Sequence, residues 1–147
     1  MGVLSDIIIA GRDEAAAINE TLGGHHRRWD TLISKGIDTV KIGTLSTIIN
    51  GPSPGATEVA CRLADNALFE VSEDGPWVFL VPPNLVSGLA ALDGETERRV
   101  AGEWAATDEF RLSRWPPGDV GSYLHDLVDF ARRAVAEKKD LLLWTSL

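Results

Sequence analysis

The stretch DVGSYLHDLVDFARRAVAEKKDLLLWTS, residues 119–146, decides the fold class of this chain. Apolar residues recur in its first part at steps of three and four, with charged residues between them, as in a helix that buries one face. The acids lie early in this helix and the bases late, which is the order that the helix dipole favours. The apolar run LLLW at 141–144 follows at once and is typical of a buried strand. We therefore predict a long amphipathic helix over 119–138 and a terminal strand over 140–146.

Three other stretches have the composition of strands. They are residues 3–10, 68–72 and 77–81. The last two are separated by a short segment that contains Asp74 and Gly75, a pair typical of hairpin turns, so together they predict a β-hairpin. Residues 25–34, which include Trp29, are polar and are interpreted as a loop.

Four shorter helices are predicted before the long one. They begin near residues 13, 37, 83 and 94. Gly23-Gly24 is typical of a helix end and Asp93 of a helix start. The segment 37–49 also alternates like a strand in part, but its length favours a helix.

The order of these elements predicts the architecture. Strand and helix do not alternate strictly along the chain, so a doubly wound parallel sheet is not expected. We predict instead an α+β fold in which about five helices pack on a small, largely antiparallel sheet. A length of 147 residues fits a single domain over 1–147.

Composition and charge exclude several classes of protein. The 14 Lys and Arg against 22 Asp and Glu give a net charge of −8, which argues against nucleic-acid binding because no basic face would displace counterions from phosphates. The longest uncharged run, 75–92, is broken by prolines and polar residues, so it predicts two soluble elements rather than a membrane span. With no leader segment at the start, we expect a cytoplasmic, bacterial-type protein.

Motifs of high specificity for catalysis are absent from the sequence. No glycine-rich phosphate loop and no G-x-S-x-G nucleophile elbow occurs. The histidines His25, His26 and His125 match no metal-ligand spacing, so neither a metal nor a cofactor is predicted. The single cysteine, Cys61, has apolar neighbours and is expected to be buried.

Carboxylates near one predicted helix end offer a catalytic alternative. Glu103, Asp108 and Glu109 could act as general acid and base together with His125 or His26. Surface helices of acidic proteins carry such residues routinely, however, so solvated acids loosely paired with arginine are the simpler interpretation. A small carboxylate-dependent hydrolase is therefore the alternative function.

Five tryptophans are the most unusual feature of the composition. Three lie in apolar elements and are expected in the core: Trp77, Trp104 and Trp144. The other two, Trp29 and Trp115, lie in irregular segments beside arginines. Aromatic and arginine residues are enriched at interface hot spots, although loop tryptophans also often pack back onto a core. The candidate binding residues are Arg27, Arg28, Trp29, Arg114 and Trp115.

The negative charge is concentrated in the middle of the chain. Residues 62–110 hold ten acids and three bases, whereas residues 111–147 hold five acids and six bases. Such a segment could steer a basic partner by its electrostatic potential, or it could simply keep the protein soluble.

The order of motifs resembles the YfbM-like family of small bacterial proteins. Trp29-x-x-Leu32 leads into a segment ending at Gly51, a short strand precedes the PPNLV run at 82–86, and YLHDLVDF at 123–130 leads to the terminal LLLW. Ile33 stands where the family pattern has a histidine. The resemblance implies a single α+β domain without known catalytic residues, so it assigns no site.

The leading prediction is a cytosolic binding or interaction module of immunity or regulatory type. It would recognise a basic protein through an acidic surface and anchor it with exposed aromatic side chains. Homo-oligomerisation stays open. A cleft with converging titratable groups would favour the hydrolase, whereas an acidic face beside an exposed Trp29 or Trp115 would favour the binding module.

Overall fold

The computed structural model describes residues 4–21, 24–52, 54–70, 72–73 and 75–146. These residues form a five-stranded antiparallel sheet and seven α-helices, which confirms the predicted α+β class. The strands are β1 (Leu4–Ala10), β2 (Thr31–Lys35), β3 (Phe69–Glu70), β4 (Trp77–Leu80) and β5 (Asp140–Ser146). The helices are α1 (Ala15–Glu20), α2 (Thr39–Asn50), α3 (Ala56–Asp65), α4 (Pro83–Ala90), α5 (Gly94–Ala105), α6 (Asp108–Leu112) and α7 (Pro117–Glu137).

The terminal strand β5 lies at the centre of the sheet, whose strand order is β2-β1-β5-β4-β3. It is paired on both sides: Leu143 lies opposite Ile7 of β1 and opposite Phe79 of β4. Because side chains alternate between the faces of a sheet, these three residues point to one face and their neighbours to the other. Both faces are apolar at the centre, which explains why this strand is an uninterrupted apolar run.

The two faces of the sheet carry cores of different size. The larger core lies between the sheet and helices α2 to α7, and it contains the fully buried Trp104 and Phe110. The smaller core lies on the opposite face, where Ile18 of α1 and Trp29 pack against Ile8 and Trp144. We call these faces the helix face and the α1 face.

Capping residues fix the beginnings of two helices that pack on the helix face. The carboxylate of Asp38 accepts a hydrogen bond from the backbone N–H of Lys41, and that of Asp93 accepts one from Thr96. The second cap was predicted, and its hydrogen bond lowers the pKa of Asp93. Along α7 the predicted apolar stripe is buried except for Val135, which is exposed near the end of the helix.

Three elements were not predicted. They are β2, α3 and α6. On α3 the buried side chains are Val59, Ala60 and Leu63, so Cys61 points away from them and is exposed, and the expectation that it is buried was wrong. Parts of other predictions lie outside the described residues: the strand start at residue 3, the helix end at residues 22–23, residue 71 of the strand 68–72, and Asp74 of the hairpin turn.

Candidate functional site

Trp29 is a core residue rather than an exposed anchor. Its side chain is only 9% exposed and packs in the smaller core on the α1 face. Its indole Nε1 donates a hydrogen bond of 2.8 Å to Oε2 of Glu14, and the guanidinium of Arg28 lies 4.5 Å from the centre of its ring. Trp29 therefore contributes to stability, and of the two alternatives left open for this residue the structure shows packing onto a core.

Trp115 is half-buried and packs against the larger core. Its ring stands edge-to-face with Phe110 at 5.2 Å and with Tyr123 at 5.8 Å. The phenol of Tyr123 lies 2.8 Å from the hydroxyl of Ser34 in β2, and burial raises the pKa of Tyr123. Arg114, beside Trp115, is exposed and has a left-handed backbone conformation with φ 58°.

The five predicted binding residues do not form one continuous aromatic patch, because the two tryptophans belong to cores on opposite faces of the sheet. Both groups nevertheless lie near the same strand. Arg27 and Arg28 are exposed and come directly before β2, whereas Trp115 is linked to β2 through Tyr123 and Ser34. Strand β2 is therefore the element that both groups have in common.

Among the described strands, β2 forms one edge of the sheet and pairs only with β1. The backbone N–H of Ile9 donates to the carbonyl of Asp30 at 3.0 Å, just before β2 begins. Hydrogen-bonded and non-bonded pairs alternate along an antiparallel ladder, so Leu32 and Ser34 direct their N–H and C=O groups toward β1. The N–H and C=O groups of Thr31, Ile33 and Lys35 therefore point outward, away from the sheet.

An exposed apolar side chain accompanies this open backbone. Ile33 is 71% exposed, and it lies opposite Asp6 on the α1 face of the sheet. Leu4, next along this face and opposite Lys35, is also exposed. We call β2 together with the exposed side chains of Leu4 and Ile33 the open edge. The sequence analysis missed it because residues 25–34 were interpreted as a loop.

The acids of the middle segment are distributed over several elements. They occur on α3, β3, α5 and α6 and in the connections between them. Some have arginine partners on their own helix: Glu103 lies 3.5 Å from Arg99, and Asp108 lies 3.6 Å from Arg111. The acids of the middle segment are therefore spread over four elements and their connections.

The carboxylates that suggested a hydrolase do not contact a histidine. The structure shows no ion pair or hydrogen bond between the side chains of Glu103, Asp108 or Glu109 and those of His26 or His125, all five being described residues. His125 instead places its Nδ1 3.0 Å from Oε2 of Glu97, a carboxylate that the sequence analysis did not single out. His125 is exposed and Glu97 is largely buried, and the two line a shallow pocket between α5 and α7 together with Arg98, Ser122 and Asp126.

Neither a metal cluster nor a membrane helix is found within the described ranges. No group of three or more His, Cys, Asp and Glu side chains there is placed to hold a metal ion. None of the helices described combines the length and the apolar composition that crossing a bilayer requires.

Comparisons with known proteins give no match. No family model matches the chain, and neither a curated protein nor a solved structure resembles it at a significant level. The resemblance to the YfbM-like family stays a prediction, and functional interpretation rests on the geometry of the chain itself.

Proposed function

We propose that the protein is a cytosolic interaction module that binds an extended segment of a basic partner protein along β2. The observation that carries this proposal is the open edge, where Thr31, Ile33 and Lys35 present backbone groups that pair with no described strand, beside the exposed Ile33 side chain. An added strand would satisfy these groups and cover the apolar side chains, which is the physical basis of strand addition. Lys35 would limit the choice of partner, because edge lysines oppose unselective pairing.

The charge of the molecule favours a basic partner over a second copy. Two copies would each carry a net charge of −8 and repel one another, whereas a basic chain would be attracted. Helix α6, which carries Asp108 and Glu109, is linked to the end of β2 through Lys41. Lys41 donates a hydrogen bond of 2.7 Å to the carbonyl of Gly36, just after β2, and its Nζ lies 5.5 Å from the ring centre of Phe110 in α6.

Synthetic strands provide the test. Two ten-residue peptides, one alternating valine and lysine and the other alternating valine and glutamate, are titrated into ¹⁵N-labelled protein. We expect the lysine peptide to shift the backbone amide signals of Thr31, Ile33 and Lys35 most strongly, because these N–H groups would gain hydrogen bonds. The glutamate peptide should bind much more weakly. Equal binding of both peptides would contradict a basic partner, and shifts centred outside β2 would contradict strand addition.

The variant Ile33→Pro tests the same edge from the protein side. Proline removes an N–H that points away from the sheet and places its ring where the added strand must lie. We expect the folded spectrum to persist and the lysine peptide to lose its effect on β2. Val135→Ala is the matched control, because it trims an exposed apolar side chain on α7 and should leave peptide binding unchanged. Retained binding by Ile33→Pro would overturn the proposal.

A further inference from the structure

A cavity of about 450 Å³ lies on the side of the molecule where α2, α3 and the start of α4 meet the end of β4. This volume is within the range of small-molecule sites, roughly 300–1,000 Å³. Its walls are mainly apolar and include Leu63 of α3 and Leu80 of β4. The open edge is formed by other residues, so the cavity is independent of the proposed strand addition.

A largely buried serine in the wall of the cavity has a hydroxyl without a hydrogen-bond partner among the described residues. Ser46 of α2 lines the cavity and is only 5% exposed. Its hydroxyl makes no hydrogen bond to any residue that the structure describes, and its oxygen is not among the described atoms that are sealed from solvent, so it is accessible from the cavity. A ligand with a hydrogen-bonding group would satisfy it.

The charges around the cavity favour an anionic group. Arg62 is the one charged side chain among the described residues that line it, and neither Asp nor Glu is among them, in a protein with a net charge of −8. Arg62 also contacts Glu58 one turn away, outside the lining. The eight-residue helix α4 begins at Pro83, so the free N–H of Asn84, another lining residue, adds the positive end of a helix dipole.

We infer that this cavity binds an amphipathic monocarboxylate, a small molecule with an apolar body and one carboxylate. The apolar body would contact Leu63 and Leu80. The polar end would accept a hydrogen bond from the Ser46 hydroxyl, with Arg62 and the first turn of α4 supplying the preference for negative charge. No titratable acid–base pair lines the cavity among the described residues, so this site binds its ligand without a chemical step.

Three probes that share one chain length and differ in the charge of the head group separate the contributions of shape and charge. Octanoate, octanol and octylamine are titrated into ¹⁵N-labelled full-length protein up to about 10 mM, which covers weak ligands. We expect octanoate to shift the amide signals around Ser46, Leu63 and Asn84, and to bind about fivefold tighter than octanol, as for a partly exposed charge contact. Octylamine should bind most weakly. Equal affinities for octanoate and octanol would overturn the charge preference, and an absence of shifts at the lining would overturn the site.

Single substitutions test whether the cavity residues bind these probes. Arg62→Gln should bring the affinities for octanoate and octanol to within about twofold of each other. Its control is Arg99→Gln, because Arg99 is likewise an exposed arginine paired with a glutamate one turn away, on α5 and outside the lining. Ser46→Ala should weaken octanoate about threefold to tenfold. Asn66→Trp, at an exposed lining position, should block all three probes while the spectrum stays folded. Unchanged binding by Asn66→Trp, or an equal effect of Arg99→Gln, would overturn the inference.

Discussion

The contact between Trp29 and Glu14 shows what single residues contribute on the α1 face. The carboxylate of Glu14 accepts hydrogen bonds from the backbone N–H of Gly11 at 3.0 Å and from the Trp29 indole at 2.8 Å. The bond from Gly11, followed by that from Trp29, lowers the pKa of Glu14 below its ordinary value of 4.5. One side chain therefore ties the turn after β1 to the loop before β2.

Replacing Trp29 by phenylalanine tests how much the indole hydrogen bond to Glu14 contributes to stability. A folded-state pKa below the unfolded value means that ionised Glu14 stabilises the fold above pH 4.5, and that this contribution is lost as the pH falls through the folded pKa. We expect Trp29→Phe to cost about 1–2 kcal/mol at pH 7 and to raise the pKa of Glu14 toward its ordinary value. Urea unfolding and NMR titration of the Glu14 carboxyl measure these effects. An unchanged pKa would show that the indole bond is unimportant.

Single residues also explain why the candidate site was only partly predictable. Arginine and tryptophan in polar segments indicated a surface, but burial of Trp29 depends on a glutamate fifteen positions earlier in the chain. Similarly, Tyr123 and Ser34 meet across 89 positions and bring Trp115 toward β2. Composition carries no record of such distant contacts, so the exposure of these residues could not be predicted.

At the scale of elements, the register of β2 predicts which of its backbone N–H groups point toward β1 and which point outward. Leu32 and Ile33 are adjacent, but the N–H of Leu32 points toward β1 and that of Ile33 points outward. We expect Ile33→Pro to cost about 1 kcal/mol, whereas Leu32→Pro should cost about 3 kcal/mol or more because it breaks the ladder. Leu32→Ala corrects for the lost side chain. Chemical unfolding measures all three, and similar costs for the two proline variants would refute the assigned direction.

The helix pair α2 and α3 makes a second prediction at the scale of elements. A Cβ added at Gly43 would lie 2.5 Å from the carbonyl oxygen of Ala56 and 3.2 Å from the nitrogen of Ala60, both backbone atoms that cannot move aside. Gly43→Ala should therefore destabilise the fold by about 1–3 kcal/mol. At Gly102 in α5 no neighbour lies within 4 Å, so Gly102→Ala should stabilise it by about 0.5–1 kcal/mol. Thermal unfolding distinguishes the two, and equal shifts would contradict close helix contact.

The same elements show how far periodicity predicts this fold. Strand β5 and helix α7 are buried along a continuous face or stripe, so their patterns are long and regular. In the edge strand β2 the polar Ser34 is buried and the apolar Ile33 is exposed. This is the reverse of the pattern by which a strand is recognised in a sequence. Helix α3 follows a Pro- and Gly-rich segment. Because Gly43 of α2 has no side chain, α3 packs closely against α2, and the contact is made by small residues such as Ala56 and Ala60.

At the scale of the whole molecule, the net charge opposes self-association and the open edge favours it. A net charge of −8 at pH 7 repels a second copy, while the outward-facing backbone of β2 and the exposed Ile33 favour pairing with any strand. The protein should therefore be monomeric at pH 7. The sequence has an isoelectric point of about 4.8, so near pH 5 most of the negative charge is lost.

Acidification should then convert the monomer into a dimer through β2. We expect light scattering coupled to size exclusion to show this change near pH 5 for the wild-type protein and for Val135→Ala, but not for Ile33→Pro, whose edge cannot accept a strand. Salt should act in the same direction at pH 7, because screening over about 8 Å weakens the repulsion between copies. Dimerisation of Ile33→Pro to the same extent would place the self-association surface elsewhere. A wild-type protein that stays monomeric at pH 5 and at high salt would show that steric protection of the edge, rather than charge, prevents self-pairing.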